Sequence, residues 1–409
     1  MSRINVLWVI DHVCYDGSLH GGGRLFWNML PKLQSDRVNV VACILRADEE
    51  IRELFADSPF PVRILDKSKF DPTTLWTFLK IIKQEKIDVL HLHCYASSTF
   101  GRIVGLIAGV PSIIHDYDTE VYFPYPSYLW LADRMLAPST DGAMAASPMC
   151  KTFMMKHRRI TEDRIRTMFH AIPAKKYLPV PEHRVNEAMD KLNISEDIPV
   201  IGTITKLGPQ RGNEFLLQAF GEVVENMPNA TLLLIYQVTY FHRLPSKEYV
   251  EISDVDKQKL VSELEDLSAE LGITENVRFI PSLENIDALI SVCDLLATPF
   301  QSERFSSVSL LEGMARGKPF VATRIGEQQE IIQDGRNGYL VSMDDPGEMA
   351  NRIVGLLSDP AKLQQFSNAA RSTAEKYSVD ANVEALMKWY EELSEKNNQR
   401  LARRRGRNQ

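Results

Sequence analysis

Two stretches in the second half of the chain combine the residue types that hold a diphosphate. In GTITKLGPQRGNEF, residues 202–215, the cations Lys206 and Arg211 stand among glycines. A lysine or arginine beside bare backbone N–H groups neutralises phosphate oxygens through charge-assisted hydrogen bonds. The second stretch, TPFQSERFSSVSLLEGMARGKPFVAT, residues 298–323, carries Glu303, Ser306, Ser307, Val308, Ser309 and Glu312. Its serines suit the start of a helix, and Ser309-Leu310-Leu311-Glu312 has the form of a capping box. Unpaired N–H groups and the positive end of a helix dipole attract phosphate there. Glu312 early in such a helix and Glu303 before it can turn toward one ligand; capping accounts for Glu312 but not for Glu303.

The first half offers different chemistry. HGGGRLF, residues 20–26, places Gly21, Gly22 and Gly23 where a loop passes into a helix. Without side chains such a loop lets a substrate approach backbone N–H groups, although a tight turn needs the same residues. It is not GxGxxG, which argues against a dinucleotide oxidoreductase. DVLHLHC, residues 88–94, puts His91 and His93 on one face of a strand. That spacing fits a metal ligand pair, and it fits packing at a strand end better. His115 closes the next apolar run and is expected at the mouth of a cleft. The Asp116-Tyr117-Asp118 that follows matches a three-letter metal motif too short to carry weight.

These stretches follow short runs rich in Val, Ile and Leu, the pattern of strands buried on both faces of a parallel sheet. Strands are expected at 4–10, 38–45, 62–65, 88–92 and 112–115, with helices near 23–33, 48–56, 73–85 and 99–108. A second set of strands is expected at 199–204, 231–236, 277–280, 294–298, 319–323 and 338–341. Its helices fall near 212–226, 255–271, 285–292, 307–316 and 347–357. The alternation gives repeated βα units, and ligands of such sheets bind beyond the carboxyl ends of the strands. The boundary between the two sets is expected within 175–198. Residues 370–395 read as an amphipathic helix that covers a groove.

A length of 409 residues suits two domains. A net charge of −7 gives no general attraction to nucleic acid. Five arginines in the last ten residues, Arg400, Arg403, Arg404, Arg405 and Arg407, form a basic tail that is either solvated or drawn to an anionic membrane. Cys14, Cys43, Cys94, Cys150 and Cys293 are odd in number and scattered, which fits a reducing compartment and excludes a CxxC metal site. The first apolar run meets Asp11 too early for a signal peptide or a membrane span, and no other run is long enough to span. The expected location is therefore cytoplasmic, with peripheral contact at the inner membrane face through the tail.

Taken in order along the chain, HGGGRLF, DVLHLHCYASSTFGRIVGLIAGVPSIIHDYD, GTITKLGPQRGNEFLLQAF and SERFSSVSLLEGMARGKPFVATRIGEQQEIIQDGRNGYLV resemble family 4 of the retaining GT-B glycosyltransferases. The resemblance implies an α/β GT-B fold: two Rossmann-like, doubly wound parallel-sheet domains facing across a cleft. Residues 1–180 would bind the acceptor and 181–374 the donor, with a helix at 375–395 returning to the first domain and a basic tail at 396–409. It implies a transferase moving sugar from a nucleotide-diphosphate sugar to a glycan, lipid-linked or small-molecule acceptor, with no cofactor and no metal. Lys206 and Arg211 would bind the diphosphate, with Ser306, Ser307 and Val308 also on the donor. Glu312 would bind the ribose, Glu303 and His115 would contact the donor sugar, and Gly21–Gly23 would lie near phosphate or acceptor.

Three departures accompany the likeness. Glu303 and Glu312 enclose eight residues where the family has seven, so either a bulge absorbs one or Glu303 has lost its role. The domain link reads His170-Ala171-Ile172-Pro173 in place of the family's Asn-Gly motif, and residues 237–254 are longer and more aromatic than the usual glycine turn. A non-catalytic GT-B scaffold and a GT-B epimerase or phosphorylase remain as alternative readings.

Overall fold

The computed structural model describes the chain apart from residues 1–2, 16–17, 20, 57, 59, 117–126, 170, 174–176, 178, 208–210, 238–240, 244–248, 252–253, 282–285, 302–307 and 408–409. The chain forms two compact units, Met1–Pro173 with Tyr377–Gln409, and Ala174–Lys376. The first crossing lies at Pro173, ahead of the expected 180.

The sheet of the first unit comprises β1 (Ile4–Ile10), β2 (Val38–Ile44), β3 (Val62–Ile64), β4 (Val89–His93), β5 (Ser112–Asp116), β6 (Gly142–Ala145) and β7 (Ile165–Thr167). All pairs are parallel and the order is β3-β2-β1-β4-β5-β6-β7. INVLWVI forms β1 because a run of branched apolar side chains suits a strand covered on both sides. Its register sets Trp8 beside His91 and Ile10 beside His93, and β4 sets His93 beside His115. Trp8, His91, His93 and His115 therefore share one sheet face.

That face is covered by α1 (Gly21–Leu33) and by α15 (Val379–Arg407), whose Leu386, Trp389 and Tyr390 enter a core with Trp8, Phe26 and Ile113. The opposite face carries α3 (Thr73–Gln84) and α4 (Tyr95–Ala108), packing Phe78, Ile81 and Val104 on Leu7, Leu90 and Ile114. Further helices are α2 (Glu49–Ala56), α5 (Ser127–Leu136) and α6 (Pro148–Phe153), the last running into a π-helical turn, Met154–Arg158. Reading from the residues missed β6, β7, α5 and α6. In β6, GAMA is small because a Cβ on Gly142 would come 2.7 Å from the Trp389 ring, so packing of α15 selects residues with little strand propensity.

The second unit repeats the plan with β8 (Val200–Lys206), β9 (Thr231–Gln237), β10 (Val277–Pro281), β11 (Leu295–Thr298), β12 (Phe320–Thr323) and β13 (Gly338–Val341), ordered β10-β9-β8-β11-β12-β13. Its helices are α7 (Glu182–Leu192), α8 (Asn213–Asn226), α9 (Asp254–Glu270), α10 (Ile286–Val292), α11 (Val308–Ala315), α12 (Gln328–Ile331), α13 (Pro346–Leu357) and α14 (Pro360–Lys376). Leu216, Leu217 and Phe220 of α8 meet Ile353 and Leu356 of α13 in its core. Both sheets have the Rossmann order, so each has a switch point where the strands on either side of its first strand wind in opposite directions.

The expected helix at 370–395 is two helices. Chain direction changes at Tyr377–Ser378, where Ile172 donates to the Tyr377 carbonyl at 3.1 Å and Val379 donates to that of Ile172 at 2.9 Å. Residues 396–407 continue α15 and do not form a separate tail.

Candidate active site

At the second unit's switch point, β8 ends on Lys206 and α8 begins after Gly212, whose φ of +68° suits glycine. A Cβ there would lie 1.8 Å from the Pro299 carbonyl oxygen. The chain after β8 thus touches the chain after β11, and the partly buried Arg211 sits at this junction with its guanidinium 5.5 Å from the Phe300 ring centroid. The segment after β11 is fixed by Thr323 Oγ1 donating to the Phe300 carbonyl at 2.6 Å and by Gln301 Nε2 donating to that of Met343 at 3.1 Å. The Lys206 side chain, Glu303, Ser306 and Ser307 lie outside the described residues.

Helix α11 opens at Val308 and presents Glu312 after one turn. The Tyr177 hydroxyl donates to Glu312 Oε1 at 2.5 Å, and the Arg316 guanidinium covers the Tyr177 ring at 4.5 Å. Burial lowers the Arg316 pKa while the charge of Glu312 pulls it up. Tyr177 and Arg316 were absent from the expected site. The i,i+4 spacing of Glu312 and Arg316 was a local signal for the second; nothing local marked Tyr177.

The first unit's switch point is built otherwise. Asp11, just past β1, accepts from the N–H groups of Ala96 at 2.9 Å and Ser97 at 2.7 Å, and from the Ser97 hydroxyl. Burial raises the pKa of this carboxyl, and the Ser97 hydrogen bonds oppose the rise. The protein's own carboxyl group therefore occupies the start of α4. Cys94, between β4 and α4, takes φ +69° and ψ −178°, a conformation nearly reserved for glycine that costs about 1–3 kcal/mol. Gly21, Gly22 and Gly23 form the first turn of α1 and not a loop before it. Gly23 is needed for contact: a Cβ would stand 2.1 Å from the Val13 carbonyl oxygen.

His115 is 2% exposed, so it does not stand open at a mouth as expected. Its ring centroid is 4.5 Å from that of His93 and 6.0 Å from that of His91. Trp8 stacks on His91 at 4.5 Å and on His93 at 5.1 Å. One nitrogen from each imidazole lies within 4.8 Å of the others, so the trio could hold a transition metal. Zinc needs nitrogens about 2.0–2.1 Å from the ion, which requires the stacked rings to turn inward. Burial pushes His91 down to about 3, leaving a neutral ring, and holds the Tyr390 phenol protonated. His91 Nδ1 and the Tyr390 hydroxyl lie 2.5 Å apart, tying α15 to β4.

Asp116, next to His115, is held by a buried charge cluster. Its Oδ2 lies 2.6 Å from Arg158 Nε, Arg158 Nη1 lies 2.8 Å from Asp133 Oδ2, and Arg102 pairs with the other Asp133 oxygen. Asp116 is thus committed to an ion pair, while Tyr117 and Asp118 lie outside the described residues. Burial pushes the Cys43 and Cys293 thiols up to about 12.

The model of Glycosyltransferase Family 4 matches residues 19–176, and that of Glycosyl transferases group 1 matches residues 185–373. The chain belongs to the family 4 glycosyltransferases. This glycosyltransferase is 31% identical over 221 residues to a D-inositol 3-phosphate glycosyltransferase of Corynebacterium urealyticum, covering 54% of the chain and 49% of that protein. The match thus spans about half the length of that relative. With the protein of that name from Rhodococcus jostii it shares 24% identity over 353 residues, covering 81% of the chain and 73% of the relative.

Among solved structures, a glycosyltransferase from Rickettsia africae superposes with TM-score 0.78 at 14% identity, covering 96% of this chain and 99% of that one. Anabaena HepE, in complex with UDP and glucose, gives TM-score 0.72 at 18% identity, covering 95% and 100%. Both likenesses agree with the two Rossmann-like units of a GT-B fold. No helix among the described residues is long and apolar enough to cross a membrane.

Proposed function

We propose that this family 4 member transfers a sugar from a nucleotide-diphosphate sugar to a hydroxyl of a glycan, lipid-linked or small-molecule acceptor, retaining anomeric configuration. The observation that carries the reading is the contrast between the two switch points. In the first unit Asp11 fills the start of α4, whereas in the second Arg211 and Gly212, just before α8, lie against Pro299 and Phe300 after β11, the strand that α11 with Glu312 follows in the chain. A cation beside a helix start suits a diphosphate, and the HepE complex with UDP and glucose supports UDP-glucose as the first donor to try.

In this reading Lys206 and Arg211 neutralise the departing diphosphate, with Ser306, Ser307 and Val308 contributing at the start of α11. Glu312 holds the ribose, and Tyr177 and Arg316 orient it. Glu303 and His115 contact the donor sugar, and Gly21–Gly23 serve the acceptor side. The reaction runs by front-side attack without a protein nucleophile or a metal, so catalysis rests on positioning and on stabilising the leaving group. The protein works in the cytoplasm.

The test is nucleotide diphosphate release across a donor panel for wild type, Lys206→Ala and Glu312→Ala. Both variants should lose at least about tenfold in kcat/KM, the loss expected when a charge-assisted contact to a bound anion is removed. Unchanged turnover in both would remove the donor site. Donor binding without transfer to any acceptor would favour a binding scaffold.

A further inference from the structure

On the first unit, α3, α4, α5 and the π-helical turn pack side by side in that order. Their outer side is apolar. Trp76 on α3, Leu106 and Ile107 on α4, and Leu131 and Met135 on α5 are each 60–74% exposed. These are five of the nine large exposed apolar side chains among the described residues, and Met155 on the π-helical turn is a sixth. Scattered single exposures need no explanation, but this concentration on adjacent helices does.

Charge on the same surface has one sign. Lys80 and Lys83 follow Trp76 by one and two turns on the exposed side of α3, Arg134 sits beside Met135, Lys156 lies within the π-helical turn and Arg159 just after it, both exposed. The sequences of α3, α4 and the π-helical turn contain no Asp or Glu. The single acid of α5, Asp133, is buried between Arg102 and Arg158. A layer of helices with no exposed carboxylate is unexpected in a chain of net charge −7.

The last helix touches the end of α4. Asn397 Nδ2 donates to the carbonyl of Gly109, two residues past Ile107, at 2.9 Å. Beyond Asn397, α15 continues through the sequence RLARRRGR, residues 400–407.

We propose that this face docks the protein on an anionic phospholipid bilayer. Exposed Leu, Ile and Met enter the acyl boundary, a tryptophan settles at headgroup level, and lysines and arginines around them meet lipid phosphates. A second copy is disfavoured as occupant, because two cationic faces repel. The inference does not depend on the transferase reading.

The test is sedimentation of the full chain with phosphatidylglycerol–phosphatidylcholine vesicles against phosphatidylcholine alone, at low and high salt. Binding is expected only with phosphatidylglycerol, weaker as salt screens the lysines, with a blue shift of tryptophan emission that Trp76→Phe abolishes. Lys80→Glu/Lys83→Glu and Leu106→Ser/Ile107→Ser should each weaken partitioning about tenfold or more, with circular dichroism and urea midpoints unchanged. A chain ending at residue 399 should still bind and still respond to the lysine variant. The proposal is overturned if wild type shows no phosphatidylglycerol preference, if folded variants bind like wild type, or if removing 400–409 abolishes binding. It also falls if the apolar variant disperses a dimer while lipid binding is absent.

Discussion

Replacing Asp133 with alanine examines whether the buried charge cluster secures the end of β5. Its carboxylate bridges Arg102, whose side chain is fully buried, and Arg158, which also holds Asp116 beside the reading's sugar-contacting His115. With both acids present, two guanidiniums face two carboxylates; alanine leaves two cations and one anion where water has no access. Removing one partner of a buried pair costs about 3–5 kcal/mol, against about 5–15 kcal/mol for a whole domain. Asp133→Ala should therefore bring the first unit close to unfolding. Arg102→Met/Asp133→Leu deletes one charge of each sign and keeps the Arg158–Asp116 pair, so it should recover to within about 1–2 kcal/mol of wild type. Urea titrations read by hydrogen exchange of α4 and β5 amides isolate this unit from the other. Where both variants are folded, the single one should lower kcat more than KM rises. A loss below about 1 kcal/mol in Asp133→Ala, or a double variant no better than the single, would refute this account of the cluster.

Other outcomes follow from the same structure. His91 titrates near 3 in the fold and near 6.5 unfolded, so the unfolded chain takes its proton first. Stability from this group is complete above about pH 6.5 and is lost as pH falls toward 3, about 2 kcal/mol by pH 5. Urea midpoints of wild type and His91→Asn should therefore diverge on acidification, and parallel curves would exclude the mechanism. Gly212→Ala should lower the melting temperature of the second unit, since φ +68° and a Cβ 1.8 Å from the Pro299 oxygen together cost more than about 1 kcal/mol. An unchanged melting temperature would count against the close approach. Chelation and dialysis should leave sugar transfer unaltered; a loss restored by added zinc would reassign the histidine trio as a metal centre.

What could be read along the chain was whatever its own neighbours determine. INVLWVI is a strand at Ile4–Ile10 because every side chain but Asn5 is apolar and most are branched, which suits a strand buried on both faces. The alternation of His91 and His93 gave their shared face by the two-residue period of a strand. Glu312 early in α11 followed from the serines before it. The order of such runs, strand then helix, was enough for two parallel sheets.

Tertiary structure decided the rest, because it joins residues that no local rule relates. His115 became buried only when register set β5 beside β4, and Tyr390 reaches His91 across 299 positions. β6 escaped notice because Trp389 of α15 requires glycine at its start. Asp133 meets Arg102 and Arg158 only through helix packing. The two switch points have one topology and opposite chemistry, since the first sheet aims Asp11 at a helix start and the second brings Arg211 to its own. Periodicity specifies which side chains face inward; the partner each one meets depends on how separate elements stack, and burial then sets its charge and chemistry.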